Sequence, residues 1–165
     1  MSASNIMKTT TNIIKIDRED LVDLLSTALY GSSYLSASYD EDAEHDENDC
    51  YEEIMADILL KGGCIYLTDY YAEGETYRDW ASLDEADNAI YPIFMTDIMR
   101  GLENAANGTF KAGENDEDAP DWRERNIRFA RRAFDAFADR DSSDWDALRA
   151  DCLMQIVLFD EIVYG

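Results

Sequence analysis

The chain carries 37 aspartates and glutamates against 14 lysines and arginines, a formal charge of −23. A surplus of that size repels itself in any compact body, so it must be offset by packing or be useful to function. Material for a core is present: 46% of residues are hydrophobic, and tyrosine, phenylalanine and tryptophan are well represented. Global disorder is therefore not expected. At 165 residues the chain reads as one domain, 1–165, able to bury a core without disulfides or metal. The charge also excludes functions. Direct nucleic-acid binding requires a basic footprint that outweighs this field, and an acidic membrane surface is disfavoured for the same reason. Basic partners are favoured.

Residues 1–11 read as a flexible polar lead-in, and Asn12–Ile16 as a short strand. Asp17 is an N-cap for REDLVDLLSTALYG, with Asp20 three residues on as a weaker version of the capping-box partner. Leu21, Leu24, Leu25, Ala28 and Leu29 form a core-facing stripe, and Gly31 is the stop. YEEIMADILLKGG repeats that plan, with Ile54, Ile58 and Leu59 inward and Gly62-Gly63 as terminator. CIYLTDYY predicts a strand; Thr76–Trp80 and Asn88–Tyr91 are expected to pair with it as a meander. Pro92 is expected to end that strand and open the helix IFMTDIMRGLENA. An amphipathic helix starts at Pro120 or Asp121, with Ile127, Ala130, Phe134 and Phe137 on its apolar side. A last helix from about Asp144 passes into a buried apolar C-terminal segment. The class is α+β, four or five helices packed on a small antiparallel sheet, with acidic loops near 38–50 and 107–120.

The densest acid lies in SYDEDAEHDENDCYEE, residues 38–53, with nine carboxylates between Asp40 and Glu53 and no lysine or arginine among them. Read as a calcium loop from Asp42, positions 1, 3, 5 and 12 fall on Asp42, Glu44, Asp46 and Glu53. Position 6 is Glu47, where the EF-hand turn requires glycine, so no metal site is assigned. His45, the single histidine, is a charge moderator inside the cluster rather than a general base. One histidine and the scattered Cys50, Cys64 and Cys152 are poor zinc ligands. Those cysteines read as free thiols of a reducing compartment, and the N-terminus has neither a signal core nor a spanning segment, so the cytoplasm is expected. No GxSxG, phosphate loop or HExxH occurs. Paired carboxylates are too numerous to single out a catalytic pair. No catalytic residue and no cofactor is assigned, and the protein is not expected to be an enzyme.

The one basic cluster is Arg123, Arg125, Arg128, Arg131 and Arg132. Arg125, Arg128 and Arg132 share a helical face. They either contact a phosphate or nucleotide, or pair with acids such as Asp121, Glu124 and Asp135 or clamp the acidic loop; the second is favoured.

Duplex DNA carries about one charge per 1.7 Å of axis. A globule of this length has a radius of gyration of roughly 15 Å and a diameter near 40 Å, a length over which duplex carries about 24 charges. Residues 40–53 would span about 21 Å as a helix or about 46 Å extended. Either spacing is within about a factor of two of the 3.4 Å per charge of one DNA strand. Such a surface could occupy a basic groove by electrostatic complementarity, with Tyr39, Tyr51, Tyr70 and Tyr71 adding aromatic contacts. A solvated loop that maintains solubility and salt adaptation are the competing explanations.

The runs DLLSTALYGSSYL, IMADILLKGGCIYLTD, IFMTDIMRGLENA and DALRADCLMQIVLFDEIVYG, in this order, resemble a family of small acidic proteins of bacteriophages and mobile elements. That family ends in a segment close to QYALFGEIVYG. The chain departs from it at Asp160, where glycine is expected, at Gly31-Ser32-Ser33 in place of a Gly-Gly turn, and over 104–143, which reads as an insertion carrying the arginine helix. The resemblance carries no catalytic residues. It implies a setting in which inhibitors of host defence, anti-CRISPR or antirestriction proteins, are frequent. The expected function is non-catalytic inhibition of a bacterial nucleic-acid-handling defence protein, a CRISPR effector or restriction enzyme, by an acidic surface that mimics or occludes DNA. The expected contacts are Asp40, Glu41, Asp42, Glu44, Asp46, Glu47, Asp49, Glu52 and Glu53, with Asp84, Glu85 and Asp87, and Glu114, Asp116, Glu117 and Asp118. The alternative is an inhibitor or adaptor that uses an apolar or arginine-rich face, with the acid serving solubility.

Overall fold

A computed structural model describes residues 6–8, 13–140 and 142–165. The elements run β1 (Ile6–Lys8), β2 (Ile13–Lys15), α1 (Arg18–Tyr30), β3 (Leu35–Ser38), α2 (Tyr51–Leu60), β4 (Ile65–Asp69), β5 (Ser82–Leu83), β6 (Ala89–Ile93), α3 (Met95–Asn107), α4 (Trp122–Ala138) and α5 (Ala147–Phe159). β1 and β2 form an antiparallel ribbon, and a four-stranded antiparallel sheet has the order β3-β4-β6-β5. The class is α+β, with five helices among the described residues.

α5 is the centre. Every residue from Cys152 to Phe159 is buried, and a helix apolar on nearly all sides can only be covered on all sides. α1, α3 and α4 pack around it. Gly101 lets α3 approach α5 closely: a Cβ there would stand 2.6 Å from Val157 Cα. α1 begins with the expected reciprocal cap, Asp17 Oδ1 accepting from Asp20 N–H at 3.0 Å and Asp20 Oδ2 from Asp17 N–H at 2.9 Å. On α4, Ala130, Ala133, Phe134 and Phe137 are buried. The arginine helix is thus part of the core, although it lies in the stretch expected to be an insertion.

Along β4 and β6 alternate residues point inward: Ile65, Leu67 and Asp69, and Ala89, Tyr91 and Ile93. Local differences from expectation have physical reasons. Ile6–Lys8, inside the expected flexible lead-in, pairs with β2; the rest of that lead-in lies outside the described residues. Leu35–Ser38 is a strand that its serines conceal, paired among the described residues with β4 alone. Thr76–Trp80 is not a strand; the two-residue β5 takes its place beside β6. Pro92 lies inside β6 opposite Tyr66, and the helix starts only at Met95. β5 reaches no further than Ile90, so beyond it β6 has, among the described residues, a free edge, where a missing N–H is tolerated.

Candidate functional site

The acidic loop leaves the sheet at the end of β3 and returns into α2. Two tight turns fold it, closed by Ala43 N–H to Asp40 O at 3.0 Å and Asp49 N–H to Asp46 O at 3.1 Å. It is therefore neither the helix nor the extended strand used to space its charges. Its base is aromatic: Tyr39 packs on Tyr51 with ring centroids 5.0 Å apart, and the Tyr51 hydroxyl donates to Ala37 O at 2.8 Å. His45 Nδ1 lies 2.9 Å from Ala43 O, and its ring stands edge-on to Tyr39.

The two ends of the acidic run differ. Arg18 on α1 holds the later part, with Nε donating to Asp57 Oδ1 at 2.9 Å, Nη2 to Asp49 Oδ2 at 3.2 Å, and Nη1 3.6 Å from Glu53 Oε1. Its bond to Asp57, with the nearby carboxylates, raises the Arg18 pKa. Glu53 also accepts from Cys50 N–H at 2.8 Å, a bond that with Arg18 holds it below the usual carboxylate range. Glu52 is half-buried. By contrast Asp40, Glu41, Asp42, Glu44, Asp46 and Glu47 are all exposed, and among the described residues none has an ion-pair partner. No group of three or more His, Cys, Asp or Glu among the described residues is arranged to hold a metal ion.

The three acidic clusters share a local device. Asp46 accepts from Asn48 N–H at 2.9 Å, Asp84 from Ala86 and Asn88 N–H at 2.9 Å each, and Asp116 from Asp118 and Ala119 N–H at 2.9 and 2.7 Å. These are Asx turns, and the backbone donors lower the pKa of Asp46 and Asp84. The glutamates that follow, Glu47, Glu85 and Glu117, are exposed, as are Asp87, Glu114 and Asp118.

The sheet does not gather these clusters at one end. Ser38 lies opposite Tyr66, and Tyr66 opposite Pro92, so loop 39–50 departs at that end. The turn 84–88 enters β6 at Ala89, opposite Asp69, roughly 10 Å away along the strands. Loop 114–118 is carried between α3 and α4 in the helical layer. Turn 84–88 is therefore displaced along the strands from loop 39–50, which carries the densest acid.

The arginines of α4 do not clamp the acidic loop; Arg18 does. Arg125 meets Asp121 only at 4.0 Å, and Arg131 donates to Asn107 O at 3.2 Å. Arg140, just past α4, pairs instead with Asp17 and Asp20, at 2.8 Å to each.

A second constellation was not anticipated from the sequence. Gln155, 1% exposed in the middle of α5, donates from Nε2 to Asp151 Oδ2 at 2.7 Å and to Tyr164 O at 2.8 Å, and its Oε1 accepts from Val163 N–H at 2.7 Å and Tyr164 N–H at 2.8 Å. The Tyr164 hydroxyl donates to the fully buried Asp69 at 2.8 Å, and the Tyr34 hydroxyl to Asp151 at 2.5 Å. Burial, and then the bond to the neighbouring carboxylate, raises both tyrosine pKa values. Burial also pushes the Cys152 thiol up to about 12, so it is chemically quiet. A glutamine within an otherwise apolar helical run was the available signal, since a buried amide requires partners. The C-terminal segment is therefore buckled to the core by polar bonds as well as apolar packing. An open pocket of about 320 Å³ lies beside it, lined by Tyr34, Tyr71, Leu148, Asp151 and Tyr164 among others.

No described helix is long and apolar enough to cross a membrane. No protein-family model matches the chain, and neither a curated protein nor a solved structure shows significant similarity to it.

Proposed function

We propose that this protein is a non-catalytic inhibitor, of the kind borne by bacteriophages and mobile elements, that occupies a basic nucleic-acid-binding surface of a bacterial defence protein. The observation that carries the proposal is the group Asp40, Glu41, Asp42, Glu44, Asp46 and Glu47: six exposed carboxylates with no ion-pair partner among the described residues, on a loop tied at its base by Tyr39, Tyr51 and Arg18. Anchoring reduces the ordering cost of binding, and clustered charge of one sign steers a basic partner into encounter. Lysines and arginines that otherwise hold phosphates would be met by these carboxylates. The patches at 84–87 and 114–118 would contact the partner only if it spans more than one face.

The test is displacement of labelled duplex from a guide-loaded CRISPR effector or a restriction enzyme. The expected result is competitive release that weakens steeply with added salt. DNA binding that is untouched by saturating protein across a panel of such targets would overturn the occlusion mechanism.

A further inference from the structure

The outer side of α4 carries two adjacent columns of side chains, one of which includes the half-buried Phe129. Trp122 and Phe129 are seven residues apart and stand about 10.5 Å from each other along the helix. Arg125 and Arg132 repeat that spacing beside them, with Arg128 on the same flank. With Asn126 these residues line one open groove of about 300 Å³. Trp122 is 44% exposed.

In a chain of −23, arginines beside acids should be neutralised, and among the described residues Arg128 and Arg132 are not. Glu124 precedes Arg128 by four residues, the preferred spacing and order for a helical ion pair, yet its carboxylate accepts from Asn115 Nδ2 at 3.0 Å. Asp135 is three residues beyond Arg132, and no ion pair joins them. Among the described residues no carboxylate reaches ion-pair distance of Arg128 or Arg132, and Arg125 has only the 4.0 Å contact with Asp121. Asn126 donates from Nδ2 to Ala112 O at 2.8 Å, which leaves its Oδ1 as an acceptor in the groove.

We propose that this groove is a nucleotide-binding site. The phosphates of a nucleoside di- or triphosphate lie along Arg125, Arg128 and Arg132, whose planar guanidinium forks suit phosphate oxygens. The base stacks on Trp122 and Phe129, as bases do on aromatic platforms, and a base amino group donates to Asn126 Oδ1. A groove of about 300 Å³ lined by six side chains is the size of a small-ligand site rather than of a polypeptide interface. A long nucleic acid would meet the acidic field along its whole length, whereas a single nucleotide meets the local arginines, with more distant charges screened beyond about 8 Å at physiological salt.

The experiment titrates the full chain with ATP, tripolyphosphate and adenosine, without divalent cations, followed by tryptophan fluorescence and calorimetry. ATP is expected to saturate, tripolyphosphate to bind more weakly and adenosine weakest. The double variant Arg128→Gln/Arg132→Gln should lose roughly tenfold or more in ATP affinity, two charge-assisted contacts being removed. Trp122→Ala should weaken ATP while leaving tripolyphosphate unchanged. These side chains are exposed, and circular dichroism verifies that the variants fold. Absence of saturation by about 5 mM ATP, beyond the range of useful binding energy, overturns the proposal. So does ATP binding that is indifferent to the double variant, or equal affinity for ATP and tripolyphosphate.

Discussion

Replacing Gln155 by leucine tests whether the C-terminal segment is held by its amide. The side chain is 1% exposed and uses both donors and both acceptor lone pairs. The bond to the Asp151 carboxylate is worth about 1.5–3 kcal/mol and the other three about 1 kcal/mol each, a gross loss of about 4.5–6 kcal/mol. Leucine returns about 1–2 kcal/mol of apolar burial. Residues 161–164 are half-buried, so the freed Val163 and Tyr164 amides regain some water. The net loss should be about 3 kcal/mol, out of a stability of about 5–15 kcal/mol for an ordinary domain. With a urea slope of about 2 kcal/mol/M, the unfolding midpoint should fall by about 1.5 M, and hydrogen exchange of the Val163 and Tyr164 amides should accelerate well beyond that of the α1 amides. A midpoint shift below about 0.3 M, with both amides still protected, would refute the role assigned to Gln155.

Gly101→Ala should destabilise by about 1–3 kcal/mol, because the new methyl meets Val157 Cα at 2.6 Å; thermal unfolding reads this, and an unchanged midpoint would mean that α3 and α5 are further apart. Asp160 caps α5 at φ 58°, a left-handed position that glycine occupies without penalty, so Asp160→Gly should stabilise by about 0.5–1 kcal/mol and raise the melting temperature by a few degrees. In acid, Asp46, Glu53 and Asp84 have folded pKa values below their ordinary 3.8, 4.5 and 3.8. The stabilisation they give is whole above those ordinary values and is lost as pH falls through the lower folded ones. Burial raises Asp20 instead, so its penalty is relieved on acidification and opposes the trend. The urea midpoint should drop below about pH 4; a midpoint still climbing at pH 2 would contradict the capping contribution.

Helix positions were legible because caps and apolar periodicity are local signals. Asp17 and Asp20 announce α1, and Phe134 and Phe137 announce the buried side of α4. Pro92 was misleading because the same residue suits a helix start and the open edge of a strand, and only the length of β5 decides between them. Leu35–Ser38 carries too little apolar content to be seen as a strand. At the candidate site the density of acid in 40–53 was plain, but its division was not: Arg18 lies 31 residues from Asp49 and 39 from Asp57. The separation of 84–87 from 40–47 depends on β-sheet register, which spacing along the chain does not encode. The arginines of α4 were expected to be satisfied by neighbours within one turn; Glu124 turns to Asn115 instead, which left Arg128 open.

The most direct measurement of the central claim converts Asp40, Glu41, Asp42, Glu44, Asp46 and Glu47 to Asn and Gln and compares binding to a CRISPR effector or restriction enzyme from which the protein displaces duplex. Six lost contacts of roughly 0.5–1 kcal/mol each predict at least a hundredfold loss of affinity and a flatter salt dependence, with the fold retained by circular dichroism. Unchanged affinity and salt dependence in the folded variant would contradict the claim that this loop is the binding surface.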